Sequence, residues 1–411
     1  MGNGNPQIGN IDLVKQLNGA VVYRLIDQLG PISRIQIAEH SLLAPASVTK
    51  ITRQLLERGL IKEVDQQAST GGRRAISIIS EHRAFQTIGV RLGRFDATIA
   101  LYDLSGRAIA EHNTALNVIS QDDAQAQLIT LIDTFIQTHQ RRIRELIAIA
   151  VIMPGLVDPE RGIVRYMPHI TVDEWPLTDN LHQHFQLPCY AGHDIRSLAL
   201  AEHYSGATQD CADSLLVRIH RGTGAGIIIN HQILLNRRGS LGEIGHIQID
   251  PLGERCHCGN FGCLETVASN AAIENRVRHQ LAQGFKSELT PETCTIDAIC
   301  HAANRNDPLA TEVIKQVGNS LGKAIAIMIN LFNPQKVVIA GEITAASTVL
   351  LPALQSCINT QVLKNFREDL PVVISQLPSN SAIGAFALIK RAMLYGELLQ
   401  HILENKPPEA G

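Results

Sequence analysis

Four side chains of metal-ligand type fall within 18 positions: His246, Cys256, Cys258 and Cys263, spaced H-x9-C-x-C-x4-C. Any fold of this chain must bring them to one point if they share an ion. One imidazole and three thiolates complete the tetrahedral shell of Zn²⁺ and leave no open position for water or substrate. The pattern predicts a structural zinc loop, not a hydrolytic centre. Gly253, Gly259 and Gly262 let so short a loop fold back on one ion. The same stretch carries Glu243 and Glu265, which the ion does not need, and this surplus points to a ligand pocket built against the loop. Cys189, Cys211, Cys294, Cys300 and Cys357 are scattered and read as small buried hydrophobes. Clustered cysteines beside a histidine in a long chain indicate metal in a reducing compartment, not a disulfide scaffold.

A second pattern lies near the start. Val22, Leu25, Ile26 and Leu29 recur at helical spacing and stop at Gly30-Pro31. Ser33-Arg-Ile-Gln36 has the form of a capping box, so a second, short helix starts there. After the turn Ser41–Ala44, Pro45 suits the first position of a third helix. That helix is expected to bury Val48, Ile51, Leu55 and Leu56 and to end at Gly59. Its other face presents Ala46, Lys50, Arg53 and Glu57, flanked by Ser47, Thr49 and Gln54. Residues 60–64 and 75–79 read as two strands joined by a polar loop holding Arg73 and Arg74. Three helices and a two-stranded wing are the plan of a winged helix-turn-helix.

Many helical triplets bind nothing, but here Ser47, Thr49, Lys50 and Arg53 are placed to reach phosphates and base edges. Arg73 and Arg74 can enter a minor groove. The net charge of −3 confines any DNA contact to such a local surface. A dimer presenting two modules would supply the rest of the attraction.

With 411 residues, 45% hydrophobic and 18% charged, the chain is an ordinary globular protein of two or three domains. It shows no signal peptide and no run of about 18 apolar residues that would span a membrane. After residue 80, strands end in glycine turns ahead of helices: residues 87–100, 146–152 before Met153-Pro-Gly155, 214–219 before Arg221-Gly-Thr-Gly-Ala-Gly226, and 336–340 before Gly341-Glu342. This is an α/β pattern with ligand sites at strand ends. Residues 382–404 read as one long amphipathic helix. Asp194 follows a short apolar run and precedes a helix expected near Arg196. It is either a helix cap or, with Glu243 and Glu265, one of a ring of acceptors for sugar hydroxyls. The stretch from Gly222 and Thr223 to Gly226 can cradle a phosphate or simply turn between strands.

Glu243-Ile-Gly-His246, Cys256-x-Cys258-x4-Cys263-Leu-Glu265 and Arg221-Gly-Thr-Gly-Ala-Gly226 resemble the ROK family of repressors and sugar kinases, over essentially residues 85–395. The winged helix-turn-helix in front marks the repressor branch. Residues 7–62 and His193-Asp-Ile-Arg-Ser-Leu-Ala-Leu-Ala-Glu202 resemble family members that control amino-sugar genes.

The resemblance implies a winged helix-turn-helix (residues 1–82) followed by a two-lobed actin-like ATPase fold. One α/β lobe is expected over 83–193 plus 382–411. The other, 194–381, would carry the zinc loop, the effector site and oligomer contacts. His246 would hold zinc with one ring nitrogen and face the sugar with the other, beside Asp194, Glu243 and Glu265. The kinases of the family open with Asp-x-Gly-Gly-Thr, and here Val90-Arg-Leu-Gly-Arg-Phe-Asp96 stands instead. A cation cannot replace the carboxylate that arranges Mg²⁺ at a transferred phosphate. Arg91 and Arg94, with Gly222 and Thr223, are instead candidates to hold an effector's phosphate.

The expected protein is therefore not an enzyme. It is a cytoplasmic homodimer or homotetramer that represses amino-sugar uptake and catabolism genes and leaves operator DNA on binding N-acetylglucosamine 6-phosphate. Alternatives are a ROK sugar kinase with an accessory domain and a glucose-responsive repressor controlled by a transporter protein. The wing departs from the family's Arg-Gly-Arg-Pro, with Gly72-Arg73-Arg74-Ala75 in its place.

Overall fold

The computed structural model describes residues 11–65, 76–168, 170–235, 241–378 and 380–405. The chain forms two compact units. One holds residues 1–153, 159–192 and 385–411, the other residues 154–158 and 193–384.

The first unit opens with helix α1 (Ile11–Leu29), the short strand β1 (Ile32–Ser33), α2 (Arg34–Ser41), α3 (Pro45–Glu57), β2 (Ile61–Asp65) and β3 (Ile76–Ser80). The expected capping box at Ser33 and Gln36 is present, with both reciprocal hydrogen bonds, so two of the orphan N–H groups at the start of α2 are satisfied locally. Val22, Ile26, Ile37, Val48, Leu55, Leu60 and Ile78 form the module's core.

Two details differ from the sequence pattern. The wing sheet has three strands, in the order β1-β3-β2, because two residues of β1 are too few to show alternation. Ile51 and Leu56 are only half-buried, and Thr52 is buried in their place. Its hydroxyl donates to Val48 O at 2.8 Å and accepts from Arg34 Nε at 3.1 Å, which makes a polar residue acceptable there. The expected wing-tip residues Arg73 and Arg74 lie outside the described residues.

The unit continues through β4 (Gln86–Leu92), β5 (Asp96–Asp103), β6 (Ala108–Ala115), α4 (Gln121–His139), β7 (Leu146–Met153), β8 (Leu156–Asp158, which belongs to the other unit), β9 (Ile163–Tyr166), α5 (Leu177–Phe185) and β10 (Cys189–His193). Its sheet has the order β10-β7-β4-β5-β6, with β4 antiparallel to β5 and parallel to β7. β4 and β7 are buried on both faces; β7 is a continuous apolar run, as such burial favours, whereas β4 also buries Gln86, Thr87 and Arg91. β6 is the edge strand. Its pairing with β5 shifts register at Leu101/Tyr102, and its Glu111, His112 and Asn113 are exposed.

The second unit contains α6 (Asp194–Ser205), β11 (Ser214–Ile219), β12 (Thr223–Ile229), β13 (Gln232–Ile233), α7 (Glu265–Ala268), α8 (Asn270–Ala282), α9 (Ile296–Asn304), α10 (Pro308–Phe332), β14 (Lys336–Ala340), α11 (Ser347–Gln361), α12 (Lys364–Arg367) and β15 (Val372–Ile374). Its sheet runs β13-β12-β11-β14-β15. A large core surrounds the face of α10 that carries Val313, Val317, Leu321 and Ile325.

The glycine-rich stretch after β11 is a hairpin, not a loop opening a helix: Gly224 and Gly226 lie inside β12. Glycine is needed there because α6 packs so close that a Cβ on Gly226 would sit 2.4 Å from the Ala199 Cβ.

The chain ends in α13 (Ile383–Leu394) and α14 (Glu397–Glu404). The single helix expected over 382–404 is broken at Gly396, which has φ +91° and would place a Cβ 2.9 Å from Gln16 O of α1. Close approach of α1 and a left-handed backbone explain the break together. No helix among the described residues is long and apolar enough to cross a membrane.

Candidate functional site

Glu243 leads into a short 3-10 turn, Ile244–His246, which lies beside β12 through the hydrogen bond from Ala225 N to Gly242 O. Sixteen residues of loop then return to Cys263, with Gln248 bridged to Cys263 and Arg255 to Phe261. This places the ligand atoms of His246, Cys256, Cys258 and Cys263 all within 4.8 Å of one another. His246 Nδ1 is 3.7 Å from the Cys256 sulfur, and the Cys258 and Cys263 sulfurs are 3.7 Å apart. Cys256 and Cys263 are buried, while Cys258 is exposed. Three sulfurs and one imidazole nitrogen in so small a volume form a donor set that can hold a metal ion.

His246 also belongs to a second group, with His257 and Glu265. The two imidazoles meet edge to face at 5.2 Å, and His257 Nδ1 lies 3.3 Å from Glu265 Oε1. His257 does not stand out in the sequence. Its place between two ligand cysteines was the available signal.

Glu265 begins α7, where a carboxylate is favourable against the helix dipole. It accepts the Thr223 amide at 3.1 Å. The Thr223 hydroxyl donates to Ala268 O at 2.8 Å, so both polar groups of this buried residue are engaged within the protein. A Cβ on Gly222 would press on Glu265 Oε2 at 2.7 Å. Beside Glu265 opens a cavity of about 850 Å³, lined among others by Arg221, Arg255, His257, Ser269 and Arg276.

The remaining expected acceptor, Asp194, is the first residue of α6, which starts two residues earlier than Arg196. His193 is the cap: its Nδ1 accepts the Ile195 amide at 3.2 Å. Asp194 Oδ1 accepts the same amide at 2.8 Å, and Oδ2 accepts from Arg218 Nη1 at 2.9 Å. Burial pushes the Asp194 carboxyl up, but His193, Arg218 and the Ile195 amide outweigh it and hold it below the usual carboxylate range. Burial works the other way on His193 and lowers it against the pull of Asp194. Glu243 is exposed and acts through its charge on His193 and Arg196. Arg196 is buried and donates to Leu241 O at 2.8 Å. The second unit thus gathers Asp194 and Glu243 around His193, and Glu265 and His246 around the cysteine loop. Arg218 and Arg196 were missed in the sequence, although a charge in the apolar run Ser214–Ile219 is itself a sign of a buried ion pair.

The arginines expected to meet a phosphate belong to the first unit. Arg91 lies in β4, is buried, and pairs with Asp96 while also reaching Thr98 Oγ1 at 3.5 Å. The guanidinium of Arg94 stacks over Phe95 at 4.6 Å. On α3, Thr49, Lys50 and Arg53 are exposed and Ser47 is half-buried. The Thr49 hydroxyl donates to Pro45 O at 2.9 Å, which leaves Lys50 and Arg53 as the long cationic side chains of that face.

Residues 87–392 match the ROK family and residues 20–67 the MarR family. The chain is 67% identical over 402 residues to the DNA-binding transcriptional dual regulator NagC of Escherichia coli K12, covering 98% of this chain and 99% of that one. It is 40% identical over 401 residues to the DNA-binding transcriptional repressor Mlc of the same strain, covering 97% and 99%. The crystal structure of a ROK family transcriptional regulator, a homologue of the E. coli MLC protein, aligns with a TM-score of 0.91 and 44% identity, covering 96% of this chain and all of that one.

Proposed function

This chain belongs to the ROK family, and from that premise we propose that it is a DNA-binding transcriptional repressor of amino-sugar uptake and catabolism genes, released from its operators by N-acetylglucosamine 6-phosphate. The observation that carries this reading is 67% identity along nearly the full length of a named transcriptional regulator, with the winged helix included in the match. The exposed Lys50 and Arg53 of α3 supply the operator contacts. Asp194, Glu243, His246 and Glu265 bind the sugar's hydroxyls, since carboxylates accept paired hydrogen bonds from neighbouring OH groups.

Asp194 is already bound by Arg218 and the Ile195 amide. A carboxylate held in this way favours binding over proton removal, which supports a sensor and not a kinase. Zn²⁺ is the ion we assign to His246, Cys256, Cys258 and Cys263, in a structural role that shapes the loop before Glu265. The protein acts in the cytoplasm as a homodimer or homotetramer.

The test is a gel-shift titration of the protein on operator DNA with a panel of sugars and sugar phosphates and no other protein present. Release by N-acetylglucosamine 6-phosphate alone is expected. Release only on adding a membrane transporter would favour the glucose-responsive alternative, and ATP-dependent sugar phosphorylation would favour the kinase. Alanine variants of Arg91, Arg94, Thr223 and Arg255, titrated in the same assay, identify the group that holds the phosphate.

A further inference from the structure

Two charged contacts leave the winged helix and end on other parts of the first unit. Asp27 sits in the last turn of α1, where a carboxylate is unfavourable against the helix dipole. Its partners lie elsewhere in the chain. Asp27 Oδ2 meets Lys390 Nζ of α13 at 2.6 Å, and Oδ1 meets His82 Nε2 at 3.4 Å. Asp27 and Lys390 are 8% and 11% exposed, so this pair is nearly dry. Lys390 also reaches Leu104 O, on the turn after β5, at 3.4 Å.

The second contact starts at Arg58, the residue that caps α3. Its guanidinium forms a two-pronged pair with Glu145, just ahead of β7, and its Nε donates to Ile402 O of α14 at 2.9 Å. The ring of Phe85 lies under it at 4.9 Å. Forked arginine–carboxylate pairs fix direction as well as distance. The two contacts hold the module at separate points, the end of α1 and the end of the DNA-facing helix α3. Both also grip the C-terminal helices, and α13 is the helix by which the chain re-enters this unit at Ala385.

We propose that Asp27–Lys390 and Arg58–Glu145 are positioning residues for operator recognition: they touch no DNA, and they set the direction in which α3 is presented, so that the spacing of operator half-sites is read by the docked module and not by a swinging one. This rests on the DNA-binding reading above. An oligomer whose modules are fixed pays a large penalty for a half-site moved along the helix, because each added base pair also rotates it. An oligomer whose modules swing on a flexible connection tolerates the change.

The experiment uses the full-length protein and a DNA sequence that the parent selects from a random pool. Binding is measured to that sequence, to derivatives with one and two base pairs inserted between its half-sites, and to a single half-site. Lys390→Met and Glu145→Gln are the variants, since both residues lie outside the winged helix and leave its DNA-facing surface intact. Each is expected to weaken binding to the parental spacing by about tenfold or more, to leave the single half-site within about twofold, and to flatten the insertion penalty. Lys390→Arg, which keeps the charge opposite Asp27, is expected to restore the parental pattern. Glu145 is partly exposed, so Glu145→Gln carries the test if Lys390→Met does not fold. An unchanged insertion penalty, or an equal loss on the single half-site and the full operator, would overturn the proposal. So would a selected sequence with only one half-site. If the parent selects no sequence at all, it is the DNA-binding reading that fails, and the proposal falls with it.

Discussion

The two five-stranded sheets share a pairing scheme and use it differently. In each, a central strand, β4 or β11, pairs antiparallel with the next strand along the chain and parallel with a later one. Each central strand also buries an arginine, Arg91 or Arg218. Arg91 finds its carboxylate five residues on, at Asp96 across its own hairpin, with Thr98 opposite it in register. Opposite Arg218 stands Gly224, which offers no side chain. Arg218 pairs instead with Asp194, 24 residues earlier at the start of α6. The first pair closes a hairpin. The second ties a strand to a helix and fixes the direction of a carboxylate. One buried cation in one topological position can thus serve local pairing or site construction, according to where its carboxylate stands in the chain.

The sharpest way to separate the two regions is to disrupt the cluster of His and Cys donors, which among the described residues lies in the second unit. Cys256→Ser or Cys263→Ser should abolish metal binding and loosen the loop from His246 to Glu265. Structural zinc contributes on the order of 10 kcal/mol in small metal-folded domains, so this is the largest effect expected. Metal analysis and hydrogen exchange should show zinc lost and residues 246–265 deprotected, with β4, β5 and β7 unchanged. Zinc-free wild-type protein would break the assignment.

Next come the two arginines. Arg218→Met strands Asp194, which is only 14% exposed, and should cost about 3–5 kcal/mol in urea unfolding. Arg91→Met leaves Asp96, 32% exposed and able to hydrate, and should cost about 1–2 kcal/mol. Equal losses would erase the distinction drawn between the sheets.

A third test reads the end of β14. Glu342 lies 2.8 Å from His220 Nδ1 and accepts from Asn270 at 3.1 Å. Burial would raise its carboxyl, yet His220 and Asn270 hold it at about 2, against an ordinary 4.5. A depressed carboxylate stabilises the folded chain fully above about pH 4.5 and loses that contribution as pH falls towards 2. Glu342→Gln should therefore cost about 2–3 kcal/mol at neutral pH and almost nothing near pH 2. A pH-independent loss would assign the effect to packing.

The smallest effect is the control. Lys50→Ala and Arg53→Ala should each cost about 1–3 kcal/mol of operator binding, measured by gel shift. Neither should alter the unfolding of either sheet.

What could be read from the chain alone followed the range of the forces involved. Helix starts were legible, because the Ser33 box and Pro45 act within a few residues. The gathering of His246, Cys256, Cys258 and Cys263 was legible because the four donors are close in sequence. Ile51 and Leu56 were expected in the core and Thr52 was not named, because the burial of Thr52 depends on Arg34 from another helix. The stretch Gly222–Gly226 was read as a phosphate cradle or a turn between strands; the turn is there, but Gly224 and Gly226 lie in the strand after it, because glycine signals both turns and close packing and only α6 distinguishes them. The break at Gly396 depends on α1, more than 350 residues earlier in the chain. Asp194 was located, but its partner Arg218 was not, since nothing local links the two.

The outer strand of the first sheet bears on how the protein behaves when crowded. No strand among the described residues pairs with the outer margin of β6, where Ile109 O accepts from Arg142 Nη1 at 3.1 Å, and such a margin is a template onto which another chain can add. Here the shifted register at Leu101/Tyr102 bends the margin, and Glu111, His112 and Asn113 cover it with polar side chains. A second molecule meeting this margin would have to desolvate a carboxylate and an imidazole before gaining a ladder of hydrogen bonds. The margin thereby disfavours sheet fusion, the route towards fibrils.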